Sequence, residues 1–310
     1  MNSIVEKIQK GLALPQGKRI MHTSPHHDDE MLAYYPILPQ LLKTNQNSFV
    51  YITSGHHSVT DDYMFKELYA TPEFIIQYPP QKRTFLDLVC RVYEILDLHS
   101  LREKIHALKT AYVPNTEEIK ILKGAIRELE AEKMLLDLGV DPANIHHLRA
   151  AFYDGGDSQV DAEHLKALVE EVRPDIVTVA YDPRDKGPKT HFHSLEVILR
   201  AIEMSPVKPE IWFYRNVWSR FTLEEADLLI PVNEDGMESM NRAFLTHFKT
   251  QKIAAFPSKE FSGPFSKLSE KIQREQFEEI KKQLGEVFFR DNSDLRIRNA
   301  AGFIFLKTLK

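Results

Sequence analysis

Residues 24–30 read Ser24-Pro25-His26-His27-Asp28-Asp29-Glu30, placing two imidazoles and three carboxyls in one short stretch of chain. Neutral imidazole together with carboxylate suits Zn²⁺, which as a catalytic ion takes three protein ligands and keeps a further position for water. A second carboxylate beside such an ion can take the proton from that water, whose pKa the metal lowers to about 7. Asp-Asp-Glu before an apolar run also suits a helix N-terminus, where carboxylates complement the helix dipole. The two uses are compatible, because a helix start fixes ligand geometry.

A second polar cluster runs from Asp182 through Pro188-Lys189-Thr190-His191-Phe192-His193 into a helical pattern. Thr190 is expected as the N-cap, with His191 at the first helical position. His56-His57 and His146-His147 also lie near strand ends. On composition alone they rival the first two clusters as ligands.

The elements that must position these groups alternate. Strands are expected at 19–23, 49–53, 147–153, 175–181 and 210–214, with a last one at 302–306. Residues 175–181 form a nearly continuous apolar run, as a buried parallel strand requires. Apolar residues at three- and four-residue spacing predict helices over 32–42, 117–138, 162–172, 192–204 and 237–254. Gly139 stands where the second of these helices needs its C-cap.

The expected fold is therefore α/β: a Rossmann-like, mainly parallel sheet with helices on both faces, forming one domain over 1–310. A helical insertion at about 60–114 and a helical C-terminal extension at 258–310 complete it. In such sheets ligands bind beyond the carboxyl ends of the strands, and both polar clusters directly follow strands.

Composition narrows the class further. With 310 residues, 43% apolar and 27% charged, the chain has the make-up of a globular protein. A net charge of −5 without a Lys/Arg block argues against nucleic acid as a partner. Cys90 is the only cysteine, which excludes an internal disulfide and a thiolate metal site. No run approaches the roughly 20 apolar residues of a membrane span, and residues 1–17 lack a signal-peptide core, so a cytoplasmic location is expected.

The first cluster resembles the Pro-His-x-Asp-Asp-Glu signature of the PIG-L/LmbE-like zinc-dependent de-N-acetylases. The resemblance extends through Ile52-Thr53-Ser54-Gly55, Arg127-Glu128-Leu129-Glu130, Leu138-Gly139-Val140, His191 and the 243–251 stretch. The 146–153 and 211–218 segments look closer to the branch found fused to glucosamine-6-phosphate deaminase-like domains.

The resemblance implies His26, Asp29 and His191 as zinc ligands, Asp28 as general base and Arg127 as a contact for substrate hydroxyls. It implies hydrolysis of an N-acyl group, typically N-acetyl, on an amino sugar. The partners it implies are that small molecule and a functional link to a glucosamine-6-phosphate deaminase; the oligomeric state, a homo-oligomer included, is left open.

One departure stands out. Pro188 occupies the position of the first histidine in the family's His-x-x-His motif, whose role is to stabilise the intermediate and protonate the leaving amine. His193 is the expected stand-in. Removing such a charge-stabilising donor costs about 10²–10³ in rate. A non-catalytic or altered-chemistry metal- or sugar-binding protein of the same fold is therefore the alternative. The 60–114 insertion, with Tyr78, Lys82 and Arg83, is read either as a substrate-selecting element or as a dimer surface or lid.

Overall fold

The computed structural model describes residues 3–67, 98–182, 188–252 and 261–309. Its strands are β1 (Arg19–Ser24), β2 (Gln46–Tyr51), β3 (Ile145–His147), β4 (Ile176–Ala180), β5 (Glu210–Tyr214), β6 (Leu228–Val232) and β7 (Gly302–Leu309). The helices used below are α1 (Ile4–Leu12), α2 (Asp29–Tyr34), α3 (Leu38–Thr44), α4 (Leu98–Thr110), α5 (Glu117–Asp137), α6 (Ser158–Val172), α7 (Lys189–Met204), α8 (Glu234–His247) and α9 (Phe265–Leu284).

The strands form one sheet in the order β3-β2-β1-β4-β5-β7-β6. β3, β2, β1, β4 and β5 are parallel, whereas β7 runs antiparallel to both β5 and β6. The chain proceeds outward from β1 to β3, then crosses over to β4 on the other side of β1. That reversal creates a crevice at the carboxyl ends of β1 and β4, the place where open α/β sheets bind ligands. The α/β architecture expected from the sequence is the one observed.

Alternate side chains of each strand feed opposite cores, as the two-residue period of a strand demands. Ile20, Phe49, Tyr51, Ile176, Trp212 and Ile304 face α2, α3, α8 and the start of α9. Met21, Val50, Val177, Val179, Phe213 and Phe303 face α1, α6 and α7. A third, smaller cluster joins Val59, Met64 and Phe65 to the N-terminal half of α5. At Gly11 in α1 a Cβ would lie 2.2 Å from the Leu229 carbonyl oxygen, so only glycine lets this helix approach β6 so closely.

Several boundaries differ from the sequence reading, each for a local reason. The helix expected over 32–42 is interrupted: α2 stops at Tyr34 and a 3₁₀ turn spans Tyr35–Ile37 before α3 begins. Pro36 has no N–H for the ladder and crowds the preceding turn. The strand expected at 147–153 is β3, ending at His147; Arg149 takes a left-handed φ of 51° and a 3₁₀ turn follows at Ala151–Asp154. The helix expected over 237–254 begins earlier, at Glu234, and ends at His247.

β6 is not among the expected strands, and it carries Pro231, which a central strand would not accommodate. The topology places it at the sheet edge, where a missing N–H is tolerated. Residues 61–67 and α4 bear out helical structure within the insertion. Tyr78, Lys82 and Arg83 lie outside the described residues. Among the described residues no helix is long and apolar enough to cross a membrane.

Candidate metal centre

β1 and β4 are hydrogen-bonded neighbours, so the loops that leave their carboxyl ends meet. The loop after β1 is tied to the segment after β2 by Ile52 N–H donating to the Ser24 carbonyl. The Thr53 hydroxyl donates to the Pro25 carbonyl at 2.7 Å. α2 then starts at Asp29 with Asp28 at its N-cap, but the Asp28 side chain makes no capping bond. Instead its Oδ1 accepts from Arg127 Nη2 at 2.9 Å. Of the two uses open to this Asp-Asp pair, Asp28 is therefore not spent on the helix end.

His26, Asp29 and His191 converge. His26 Nδ1 and His191 Nε2 are 3.0 Å apart, and Asp29 Oδ2 lies 3.5 Å from the first and 3.4 Å from the second. Asp29 Oδ2 also accepts the His26 backbone N–H at 2.7 Å, which closes the turn. A tetrahedral ion with ligand bonds of about 2.0–2.1 Å requires donor separations of about 3.3–3.4 Å. The two separations to Asp29 Oδ2 come within about 0.1 Å of that demand, and the ring nitrogens, at 3.0 Å, would part by a few tenths of an ångström to admit the ion. His191 and Asp29 are buried, whereas His26 keeps 22% of its side chain exposed at the mouth.

Each of the two buried members is braced from behind. His191 Nδ1 pairs with Asp182 Oδ2 at 2.5 Å, which leaves Nε2 facing His26 and Asp29. Asp182 in turn accepts from the Ser219 hydroxyl at 2.7 Å. Asn216 Nδ2 donates to Asp29 Oδ1 at 2.5 Å. Such partners fix a ligand's tautomer and orientation.

The charges follow from this packing. Burial pushes Asp29 up, but His191 and His26 outweigh it and hold the carboxyl at about 2. Burial would lower His191, yet Asp29 and Asp182 raise it above the ordinary imidazole value. Asp28 is raised by burial and by neighbouring Asp29, with Arg127 opposing. Beneath them, burial lifts Glu30 to about 8, although it accepts from the Ser24 and Tyr51 hydroxyls at 2.6 and 2.7 Å.

Two sequence assignments change. Arg127, read as a contact for substrate hydroxyls, is 1% exposed; both Nη atoms have partners, whereas its buried Nε makes no hydrogen bond. Nη2 holds Asp28, and Nη1 holds Glu130 and the Thr250 hydroxyl at 2.7 and 2.8 Å. It is thereby placed to position Asp28. His193, read as the stand-in for the missing histidine, is exposed and pairs with Glu196 at 3.1 Å. The helix begins at Lys189, capped by Pro188 rather than Thr190. Two residues rotate a side chain about 200° around a helix, so burying His191 turns His193 outward.

Asp182, named in the sequence only as the start of the second cluster, and Asn216 and Thr250, given no role there, are further participants. The available signal was position: Asp182 lies two residues after β4 and Asn216 two residues after β5, at the sheet end where ligands bind. The rival His146-His147 pair stays apart from the cluster. His147 Nε2 bonds to Glu132 at 3.0 Å, and its ring stacks on His27. His27 is fully buried between Tyr51 and His147, and burial keeps it well below the ordinary imidazole value. The His56-His57 pair does meet a carboxylate, Asp154, in a second group on the same rim.

No family model matches the sequence. A glucosamine-6-phosphate deaminase-like protein of Bacteroides thetaiotaomicron is 24% identical over 258 residues, covering 79% of this chain and 37% of that protein. The chain thus spans well under half the length of the curated relative it matches. Among solved structures, N,N'-diacetylchitobiose deacetylase from Pyrococcus horikoshii aligns with a TM-score of 0.51 at 14% identity, over 99% of this chain and 88% of that one. GalB, the 4-carboxy-2-hydroxymuconate hydratase of Pseudomonas putida, aligns at 0.52 and 11% identity, over 94% and 96%. The conserved protein TT1542 of Thermus thermophilus aligns at 0.50 and 12%, over 94% of each chain. These likenesses establish a shared fold, and a deacetylase and a hydratase stand side by side in it.

Proposed function

We propose that this chain is a metal-dependent amidase of the PIG-L/LmbE type that removes an acyl group from the nitrogen of an amino sugar. The observation that carries the reading is the convergence of His26, Asp29 and His191 beside an Asp28 carboxylate that is not used as a helix cap. The match to the family's signature and the fold shared with a diacetylchitobiose deacetylase support it.

Zn²⁺ held by His26, Asp29 and His191 would supply a Lewis acid for the acyl carbonyl and lower the pKa of the attacking water. The remaining work belongs to the chain. Asp28 takes the proton from the water, and Arg127 on its Oδ1 fixes the carboxylate and leaves Oδ2 for that proton. The same carboxyl is the group placed to return that proton to the leaving amine. Such a double role would allow turnover with proline at position 188 and His193 facing outward. Asp182 and Asn216 keep His191 and Asp29 aimed at the crevice.

A non-catalytic metal- or sugar-binding protein is the second reading. It is favoured by the lack, among the described residues, of a histidine in the place of Pro188. The two part in one experiment: a panel of N-acetylated amino sugars, including N-acetylglucosamine and its 6-phosphate, is assayed for released amine with wild type and Asp28→Asn. Deacetylation by the wild type, lost in Asp28→Asn with metal content retained, supports the amidase. Sugar binding without any released amine supports the second reading. We place the activity beside a glucosamine-6-phosphate deaminase, which would consume the free amino sugar.

A further inference from the structure

A second set of metal-type donors lies on the same rim, and the proposed amidase does not use it. Gly55 adopts a left-handed φ of 66°, which turns the chain after β2 into a 3₁₀ turn at His56–Ser58. Consecutive imidazoles are thereby forced together, with ring centroids 4.1 Å apart. The turn at Ala151–Asp154, ended by Gly155 at φ 84°, brings Asp154 against them. One donor atom each from His56, His57 and Asp154 lies within 4.8 Å of the others.

His56 is the informative member. Its side chain is 4% exposed, and Nε2 makes no hydrogen bond although it points toward Asp154 Oδ1 at 3.5 Å. Its Nδ1 sits 2.8 Å from the Ser54 hydroxyl. Whichever tautomer the Ser54 contact selects, Nε2 is left without a hydrogen bond and 3.5 Å from the carboxylate, and in the tautomer with Nδ1–H donated to Ser54 it turns a lone pair toward Asp154, a gap that a cation would fill. At present Lys120 Nζ compensates Asp154 at 2.7 Å.

We infer that His56, His57 and Asp154 form a second binding site for a late first-row divalent cation such as Zn²⁺, with Lys120 as its competing intramolecular cation. Two imidazoles and a carboxylate are the donor set these ions prefer, and three ligands leave a position open to solvent. Tyr153 links the two sites. Its ring lies 4.8 Å from His57, 5.0 Å from His56 and 6.2 Å from His26. An ion held by the second set therefore stands across one aromatic ring from the first centre.

The test is a Co²⁺ titration of metal-stripped protein, followed by visible absorption and checked by elemental analysis after dialysis against Zn²⁺. In an Asp29→Ala background, which removes a ligand of the first set, one equivalent should still bind. Adding His56→Ala should lose it. In the same background Lys120→Met should tighten that equivalent by about fivefold, the size expected when a partly exposed ion pair no longer competes. Circular dichroism identifies any variant that fails to fold, and Lys120→Met alone then decides. Asp29→Ala protein that is folded and binds no ion overturns the second site. So does binding unchanged by both His56→Ala and Lys120→Met. Retention of two equivalents in Asp29→Ala, one of them lost with His56→Ala, would uphold this site and refute the ligand role of Asp29 instead.

Discussion

Asp182 is the residue whose replacement tests most directly how the crevice is built. It is 1% exposed and bridges His191 Nδ1 and the Ser219 hydroxyl. Its carboxylate fixes the imidazole tautomer, the ring orientation and the basicity of Nε2. Asp182→Asn keeps the shape, and after rotation of the Ser219 hydroxyl its amide oxygen can still accept from His191; only the charge is lost. Asp182→Ala removes all three contributions and leaves a buried ring N–H without an acceptor. Losses of this kind lower metal affinity by about 10- to 100-fold. We therefore expect about tenfold for Asn and about a hundredfold for Ala, or about 1.4 and 2.7 kcal/mol.

The pH dependence adds a second readout for the same pair. A metal needs the neutral ring, and Asp182 helps hold the proton on His191. As pH falls, wild type suffers more proton competition than Asp182→Asn, so the difference in affinity shrinks. The assay is zinc competition against a chromophoric chelator across pH 5.5–8.5, with thermal melts as the folding control. Folded Asp182→Ala that binds zinc within threefold of wild type at pH 8 refutes the bracing role.

Other perturbations follow from the same geometry. Arg127→Met removes the cation that opposes the rise of Asp28, so the acidic limb of kcat/KM should move to higher pH by about one to three pH units. An unmoved limb would separate Arg127 from the base. Glu30, at about 8 when folded and near the ordinary carboxyl value when unfolded, binds its proton more tightly in the native state. Its stabilising contribution is full below about 4.5 and lost as pH rises through about 8, so Glu30→Gln should flatten urea-unfolding stability by a few kcal/mol across that window. An undiminished slope counts against a protonated Glu30. Gly11→Ala should destabilise by about 1–3 kcal/mol, because its methyl meets the Leu229 backbone rather than a movable side chain. Equal denaturation midpoints would show that α1 can shift away.

The parts of this molecule legible in the sequence are those governed by short-range rules. The apolar run of β4, the Gly139 stop of α5 and the turn at Gly55 all announce themselves locally. The alternation of elements predicts that β1 and β4 are neighbours, and the pairing of Met21 with Val177 bears this out. What escaped notice depends on partners distant in sequence. Asp182 reads as one loop acid among several until the fold sets it against His191, and Asn216 reads as a turn residue until it meets Asp29. Arg127 was singled out, but not the direction of its guanidinium, because Thr250, which shares it, lies 123 residues away. β6, not among the expected strands, carries a proline that an edge position permits.

β7 has a consequence for how the protein is made. It lies between β5 and β6, antiparallel to both, yet its residues follow all the other strands in sequence. A nascent chain can assemble β1 to β5 early, but β5 and β6 have no ladder of their own and wait beside an empty slot. Two rows of unpaired backbone groups stay open through that interval, and open strand edges invite pairing with other chains. The sheet closes only when residues 302–309 have left the ribosome.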